Sequence, residues 1–435
     1  MMKKFFLIFI MVVAGSAASA QQTLTLNQQQ CREMALQNDE RIKSMDNAQK
    51  QAEIDKQVAF LNYLPTLDGS LLGIYQFAST DMMGMKMEMK PMYMAGLTMQ
   101  ETLYAGGRIK AGNDLAEIGR NVAEQNIRKT RAEVLADVDN AYWTYVSVRK
   151  KVEMLKTYVE YIQSLFDQVK ISVEAELAVE NDLLRINAKK SEIQYNLQKA
   201  ETGADLCRMM LCNYIGVDLD TQINPADEEI VITMPENMDE DISNLPEMQM
   251  LNQGVLAKKK QVKMALGEYL PSLVGMFGYS AYGGIKTSGT QMVDGVAYPF
   301  SSKMKSDGAS AMVMLSVPIW NWGMGKKSVK KAKLDVLNAQ LDLQRNQRLL
   351  AIQARSAVKN VQNGYLQVQT AQLGAQQSDE NLRVMNDRYE NAMSTLTDLL
   401  DAQSQWQQAQ SNLIEAQTQY KIYQTEYLKA VGRLE

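Results

Sequence analysis

Tyr63-Leu64-Pro65-Thr66-Leu67 recurs in this chain as Tyr269-Leu270-Pro271-Ser272-Leu273, 206 residues later. From residue 103 onward the correspondence continues at a spacing of 216 residues, so that Asp182 matches Asp398. Self-similarity at a fixed spacing is typical of a structural repeat. We therefore predict two tandem repeats, at 21–216 and 248–435, joined by a linker at 217–247. The ten extra residues of the second repeat are expected in one loop between 286 and 306.

Long helices are predicted after each of these motifs. The stretches 92–224 and 319–435 contain no proline, which permits uninterrupted helices. An alternation of three and four steps, typical of a coiled-coil seam, begins at Val134 and ends at Val169. A second seam, from Leu399 to Ala430, alternates large residues with alanines. The predicted helices are about 108–170 and 180–215 in the first repeat and about 323–388 and 395–432 in the second, with one further helix opening each repeat.

Each Tyr-Leu-Pro motif marks a change from helix to strand, because the residue before proline disfavours α geometry. We predict strands at about 66–79 and 93–104, and at about 272–285 and 307–320. Their alternation of apolar and smaller, more polar residues is the weak signature of an outer-membrane barrel, although an ordinary half-buried sheet fits the strands alone. Four strands cannot close a transmembrane barrel, so a barrel requires oligomerisation. Three copies would supply twelve strands.

The N-terminus predicts export. Lys3-Lys4 precedes an apolar run from Phe5 to Val13, and Ala18-Ser19-Ala20 resembles a cleavage site, so residues 1–20 are predicted to be a signal peptide. The first cysteine, Cys31, lies too far downstream for a lipid anchor. After residue 20 the sequence contains no run of 18 apolar residues, so we predict no membrane-spanning helix.

Composition argues against several classes of function. The chain has no histidine, which removes the commonest general base and most zinc sites, so we predict that it is not an enzyme. A net charge of −4 without a basic field argues against a nucleic-acid partner. The spacing of Cys31, Cys207 and Cys212 fits neither a disulfide framework nor a metal motif. No nucleotide-binding motif is present, and we expect no cofactor.

Several motifs occur along the chain in a fixed order. They are Leu24-Thr25-Leu26, Ala35-Leu36-Gln37-Asn38, the two Tyr-Leu-Pro breaks, Leu103-Tyr104-Ala105-Gly106-Gly107 with its counterpart Pro318-Ile319-Trp320-Asn321-Trp322-Gly323, and Thr397-Asp398-Leu399-Leu400-Asp401-Ala402. In this order and in two copies, they make the chain resemble the TolC-like outer-membrane factors over essentially all of its predicted mature length. These proteins are trimeric exit ducts of tripartite efflux pumps and type I secretion systems.

The resemblance implies a mostly α fold with a transmembrane β-barrel portion. Four strands per protomer would close as a twelve-stranded trimeric barrel, and coiled-coil helices would form a periplasmic tunnel. Thr23–Leu26 and 217–247 would build an equatorial collar. The implied location is the outer membrane of a Gram-negative bacterium, in contact with its lipid. The implied partners are two further copies, a periplasmic adaptor and an inner-membrane transporter. A structural trimeric coiled-coil protein without a conducting lumen is the competing interpretation.

A candidate gate lies at the last helical hairpin. Asp398 and Asp401 are three residues apart and share one helix face. In the family, this position forms rings of acid that constrict the periplasmic entrance. A competing interpretation is a helix N-terminus capped by Ser394 or Thr395, with acids in the first turn. The resemblance assigns entrance closure to Tyr389, although Ser394 replaces the family's arginine partner. In the first repeat Asp182 matches Asp398, whereas Arg185 replaces the counterpart of Asp401.

A methionine-rich segment between the first two strands is the other unusual feature. It contains Met82, Met83, Met85, Met87, Met89, Met92 and Met94. Thioethers suit Cu(I), and Met85, Met87 and Met89 would share one side of an extended chain, which predicts a soft-metal loop in a copper or silver efflux pump. The chain has 29 methionines in all, so flexible loop filler is the alternative.

Overall fold

The computed structural model describes residues 23–75, 77, 80–82, 85–227, 229–235 and 237–434, with the backbone alone at 80–82, 85–91, 285 and 291–293. The predicted signal peptide, 1–20, lies outside the described residues. The elements are β1 (Thr23–Leu26), α1 (Gln28–Asn38), α2 (Glu40–Leu61), β2 (Thr66–Ile74), β3 (Thr80–Met82), β4 (Met85–Ala105), α3 (Arg108–Glu174), α4 (Glu180–Ile215), β5 (Gln222–Pro225), α5 (Pro246–Gly267), β6 (Ser272–Val293), β7 (Val296–Ser316), α6 (Met324–Glu390) and α7 (Leu396–Ala430). Contacts divide the chain into unit 1 (1–43, 128–245 and 350–435) and unit 2 (44–127 and 246–349).

Unit 2 contains an antiparallel sheet in the order β2-β4-β6-β7, with β3 beside β4. Strands from the two repeats meet in the middle of this sheet, where Leu97 of β4 lies opposite Tyr279 of β6. The outermost strands, β2 and β7, have no further partner strand among the described residues. Large apolar side chains are exposed along them, including Leu71 and Val313. The sheet of one chain therefore has two open edges and uncovered apolar surface.

The second hairpin is longer than the sequence predicts. The extra residues between 286 and 306 form no loop, because β6 and β7 stay paired as far as Val293 and Val296. Asp294 and Gly295 connect them with positive φ angles of 47° and 80°, which suit a two-residue hairpin turn. At its other end β7 stops at Ser316, before the predicted limit of 320.

The methionine-rich segment is also not a loop. The backbone of Met85, Met87 and Met89 belongs to β4, which begins eight residues before the predicted start at 93. Met82 lies in β3, and Met83 falls outside the described residues. The prediction was wrong about the local structure, because a run of alternating methionines satisfies the pairing of an antiparallel hairpin as well as an extended loop. The side chains of Met85, Met87 and Met89 lie outside the described part of the chain.

The glycines at the junction of β4 and α3 permit a close approach of two backbones in unit 2. Gly106 has φ +62°, and a Cβ atom there would lie 2.8 Å from Cβ of Leu270 and 2.9 Å from Cα of Gly267. Conversely, a Cβ atom on Gly267 would lie 2.7 Å from the carbonyl oxygen of Gly106. Gly107 also has positive φ, at +79°, but faces open space. This junction holds the end of α5 against the start of α3.

Unit 1 joins the N-terminus to the linker. β1 pairs in parallel with β5, with Leu26 opposite Pro225, and Asn27 begins α1 with a capping box to Gln30. A core cluster forms around α1, α3 and α4 and includes Cys31 and Cys212, with Cys207 packed at its margin. Burial raises the pKa of the Cys31 thiol to about 12. The cysteines of this cluster are therefore packing residues.

A buried ion pair crosses this core. The Asp139 side chain is 0% exposed, and Arg32 donates to both of its oxygens, from Nε at 2.8 Å and from Nη2 at 2.5 Å. The hydroxyl of Thr425 on α7 donates a third hydrogen bond at 2.5 Å. Asp139 thus connects α1, α3 and α7.

In the described part of the chain, no helix has both the length and the apolar composition needed to cross a bilayer.

Candidate functional site

Two helical hairpins of unit 1 end in turns of the same geometry. α3 and α4 are joined by 175–179, and α6 and α7 by 391–395. Each turn contains a residue with positive φ, Glu176 at 57° and Ala392 at 53°, and these two residues are 216 positions apart. Non-glycine residues rarely adopt this conformation. The repeat is therefore reproduced in the backbone of the two turns.

One apolar cluster holds the two hairpins side by side. Its buried members are Tyr158, Ile162, Leu165, Val169, Ile186, Ile193, Leu396 and Leu399. Near the turns, Nη1 of Arg185 on α4 donates to the hydroxyl oxygen of Thr397 on α7. The residue that replaces the counterpart of Asp401 therefore links the hairpins directly.

Tyr389 and Asp182 come from different repeats, and the structure brings them together. Tyr389 packs half-buried against the apolar cluster near the end of α6. Burial raises the pKa of its phenol, and the negative charge of Asp182 raises it further. Asp182 lies in the first turn of α4, with its backbone N–H bonded to the carbonyl of Val179. The tyrosine therefore carries its proton at neutral pH and is available as a hydrogen-bond donor at the hairpin ends.

Asp398 is exposed and completes a capping box at the start of α7. Its carboxylate accepts from the backbone N–H of Thr395 at 3.0 Å and from the Thr395 hydroxyl at 2.7 Å, and its own N–H donates to that hydroxyl oxygen at 3.2 Å. These hydrogen bonds hold the pKa of Asp398 below its usual range, so the group is ionised at neutral pH. Asp401 lies one turn further and is exposed. Among the described residues, no hydrogen bond or ion pair joins either aspartate to Tyr389.

Of the two capping residues proposed from the sequence, the structure selects Thr395. Ser394, which stands where the family has an arginine, has a buried hydroxyl without a hydrogen-bond partner among the described residues.

Removal of these two adjacent hydroxyls should therefore have different effects on stability. Thr395→Ala is expected to cost about 1 kcal/mol of stability, since a side-chain cap is lost. Ser394→Ala is expected to be neutral or to gain up to about 1 kcal/mol, since an unpaired polar group leaves the interior. Thermal unfolding of the detergent-solubilised variants measures the difference. A loss at Ser394 that matches the loss at Thr395 would contradict this assignment.

Two residues that the sequence did not single out are the most exposed apolar side chains of these turns. Leu177 is 84% exposed and Met393 is 74% exposed, and they are again 216 positions apart. Single exposed apolar residues are ordinary, but the same position in two copies of a strained turn is not. The repeat spacing was the signal that could have identified them.

In the part of the chain that the structure describes, no three His, Cys, Asp or Glu side chains are close enough together to hold a metal ion.

Comparison with known proteins gives matches over most of the chain. The family model described as "Outer membrane efflux protein" matches residues 31–203 and 238–433. "Outer membrane protein TolC" of Escherichia coli (strain K12) is 26% identical over 180 residues, which is 40% of this chain. The match spans about a third of that relative's length, 35%.

Solved structures share the fold at lower sequence identity. A membrane protein from Pseudomonas aeruginosa superposes with a TM-score of 0.78 at 16% identity, over 93% of both chains. The outer membrane channel CmeC of Campylobacter jejuni superposes with a TM-score of 0.73 at 19% identity, over 93% of this chain and 85% of that one.

Proposed function

Because this chain belongs to the outer membrane efflux protein family, we propose that it is a passive exit duct of a tripartite efflux pump or a type I secretion system. Its location is the outer membrane of a Gram-negative bacterium, extending into the periplasm. In this proposal the protein is a conduit and not an enzyme, and an inner-membrane transporter supplies the energy. The proposal rests on two features that occur in the same chain. Two equivalent helical hairpins end in turns with exposed acidic residues, and the sheet of a single chain has two unpaired edges.

The open edges of the sheet support a homotrimer. Backbone groups at β2 and β7 need partners in lipid, where no water can satisfy them. Three copies of the strands β2, β4, β6 and β7 supply twelve strands, an even number within the range of bacterial barrels. The exposed apolar face of β7 then meets lipid. The remaining apolar residues on the helices of each copy are covered by neighbouring copies.

The hairpin ends support a gate and a docking surface. Three copies bring Asp398 and Asp401 into rings of negative charge, which attract cations into a narrow opening. Tyr389 and Asp182 place a hydrogen-bond donor and a further carboxylate where the two hairpins meet. Leu177 and Met393 present apolar contacts to a periplasmic adaptor. The adaptor then opens the gate by separating the hairpins, which hydrogen bonds from Arg185 to Thr397 and from Tyr161 to Asn386 link near this end.

Single-channel currents in planar bilayers test the gate. Asp398→Asn/Asp401→Asn is expected to lower cation preference severalfold, because the rings of negative charge that attract cations to the entrance are removed. Asp401→Asn alone should also lower cation preference, but by a smaller factor. Because Asp401 takes no part in the capping box, this variant leaves the start of α7 unchanged.

The matched control is Asp46→Asn/Asp55→Asn, which also removes two negative charges, but from α2. It should conduct as the wild type does. Unchanged selectivity in the Asp398/Asp401 variant would remove the gate assignment and leave the duct. A purified trimer without current under any condition would favour a structural coiled-coil protein.

A further inference from the structure

A groove in unit 2 lies directly beyond the ends of β6 and β7. Its volume is about 500 Å³. The lining residues are Leu266, Tyr269, Pro318, Asn321, Gly325, Lys326, Val329, Lys330 and Lys333. The groove therefore combines an apolar floor with three lysines on one helix.

The floor depends on a glycine. A Cβ atom on Gly325 would lie 2.7 Å from the ring of Tyr269. The absence of a side chain at the start of α6 thus lets the tyrosine ring lie against the helix. Leu266, one turn earlier on α5, is half exposed beside it. Together with Val329 they offer a strip of apolar surface open to solvent.

The lysines are unusual for their position. Five exposed lysines, 326, 327, 330, 331 and 333, occur within the first ten residues of α6. None of them has an ion-pair partner among the residues that the structure describes. The first turn of a helix disfavours positive charge, because the helix dipole places partial positive charge there. Local stability therefore does not account for this cluster.

The first repeat shows that the fold does not require a cluster of lysines at this position. Positions 216 residues earlier carry Lys110, Ala111, Asp114, Leu115 and Glu117. The first repeat is thus mixed in charge at the same place, and its Asp114 accepts a hydrogen bond from Lys260 on α5 at 2.6 Å. The concentration of positive charge belongs to the second repeat alone.

The surroundings of the groove have the character of a membrane–water boundary. The exposed apolar face of β7 continues through Val317 to Ile319. Trp320 and Trp322 follow, strongly exposed and in edge-to-face contact with ring centroids 5.7 Å apart. Tryptophan is enriched where the bilayer meets water, with its apolar ring in lipid and its N–H toward the headgroups. The lysines begin four residues after Trp322.

We propose that this groove binds an anionic phospholipid of the membrane leaflet that faces the periplasm. The headgroup phosphate interacts with Lys326, Lys330 and Lys333, and an acyl chain lies along Leu266, Tyr269 and Val329. A lipid fits better than a soluble anion, because the groove offers apolar surface and cationic groups together at the edge of an apolar band. The proposal rests on the outer-membrane location and does not require the channel to conduct.

Native mass spectrometry of the detergent-purified oligomer, with phosphatidylglycerol or phosphatidylcholine added, tests this proposal. The wild type is expected to bind phosphatidylglycerol at least about fivefold more tightly than phosphatidylcholine, since each lysine near a lipid phosphate contributes about that factor. Lys326→Gln/Lys330→Gln/Lys333→Gln should lose the preference while keeping the helical content measured by circular dichroism.

The control is Lys50→Gln/Lys199→Gln/Lys359→Gln, which removes three exposed lysines that do not line the groove. It should keep the preference. An equal loss in both triple variants, a preference that survives in the groove variant, or no preference in the wild type would each overturn the proposal. The wild type would show no preference if a neighbouring copy covered the groove. Single-channel currents of the groove variant should match those of the wild type, which separates this test from that of the gate.

Discussion

Arg32→Met is expected to destabilise the protein by about 3–5 kcal/mol, because it leaves the carboxylate of Asp139 buried without its charge partner. Asp139 is fully buried, and without Arg32 its described side-chain partner is the hydroxyl of Thr425. One hydroxyl does not replace a bidentate guanidinium. The measurement is chemical denaturation of the detergent-solubilised protein, followed by circular dichroism.

Two comparisons make the result specific. Arg355→Met breaks an exposed pair with Glu240, and such pairs contribute little to stability because solvent screens them. The double variant Arg32→Met/Asp139→Leu should recover much of the loss, since an apolar pair of similar volume avoids the buried charge. If Arg32→Met and Arg355→Met cost the same, the buried pair does not support the core of unit 1 in the way we describe.

Gly106→Ala is the second change with a large expected effect. The new methyl group meets the carbonyl oxygen of Gly267, Cβ of Leu270 at 2.8 Å and Cα of Gly267 at 2.9 Å, in a conformation with φ +62°. Backbone strain costs about 1–3 kcal/mol, and overpacking against backbone costs about the same again, so we expect a total loss of about 2–6 kcal/mol. Thermal unfolding and the yield of folded oligomer measure it.

The next residue supplies the control. Gly107 has φ +79° but no atom within 4 Å of its would-be Cβ, so Gly107→Ala carries the strain alone, about 1–2 kcal/mol. Gly112→Ala, in an open helical position of α3, should be neutral or stabilising. Equal losses at 106 and 107 would show that the backbone conformation, and not the contact with α5, requires glycine at this junction.

The sequence predicted those features of the fold that depend on local pattern. The break at each Tyr-Leu-Pro motif, the proline-free helices and the seams follow from geometry that repeats within a few residues. The predicted start of the last helix, 395, matches its capping residue, because capping chemistry is visible in the sequence. The outer-membrane efflux family is confirmed by the family match.

What the sequence could not supply depends on pairing across long distances. The extension of β4 to Met85 and of β6 to Val293 depends on the partner strands, and methionine-rich or serine-rich segments carry little strand signal of their own. The proximity of Tyr389 to Asp182 required knowing that the two hairpins lie side by side. Their roles, and those of Asp398 and Asp401, remain our proposals.

The parallel pairing of β1 with β5 has a consequence for the order of folding. Residues 23–26 must wait for residues 222–225 before their hydrogen bonds can form. Thr425, near the other end of the chain, arrives later still to complete the hydrogen bonds of Asp139. Unit 1 therefore completes its core only after nearly all of the polypeptide exists, and the nascent protein must be kept from premature association until then.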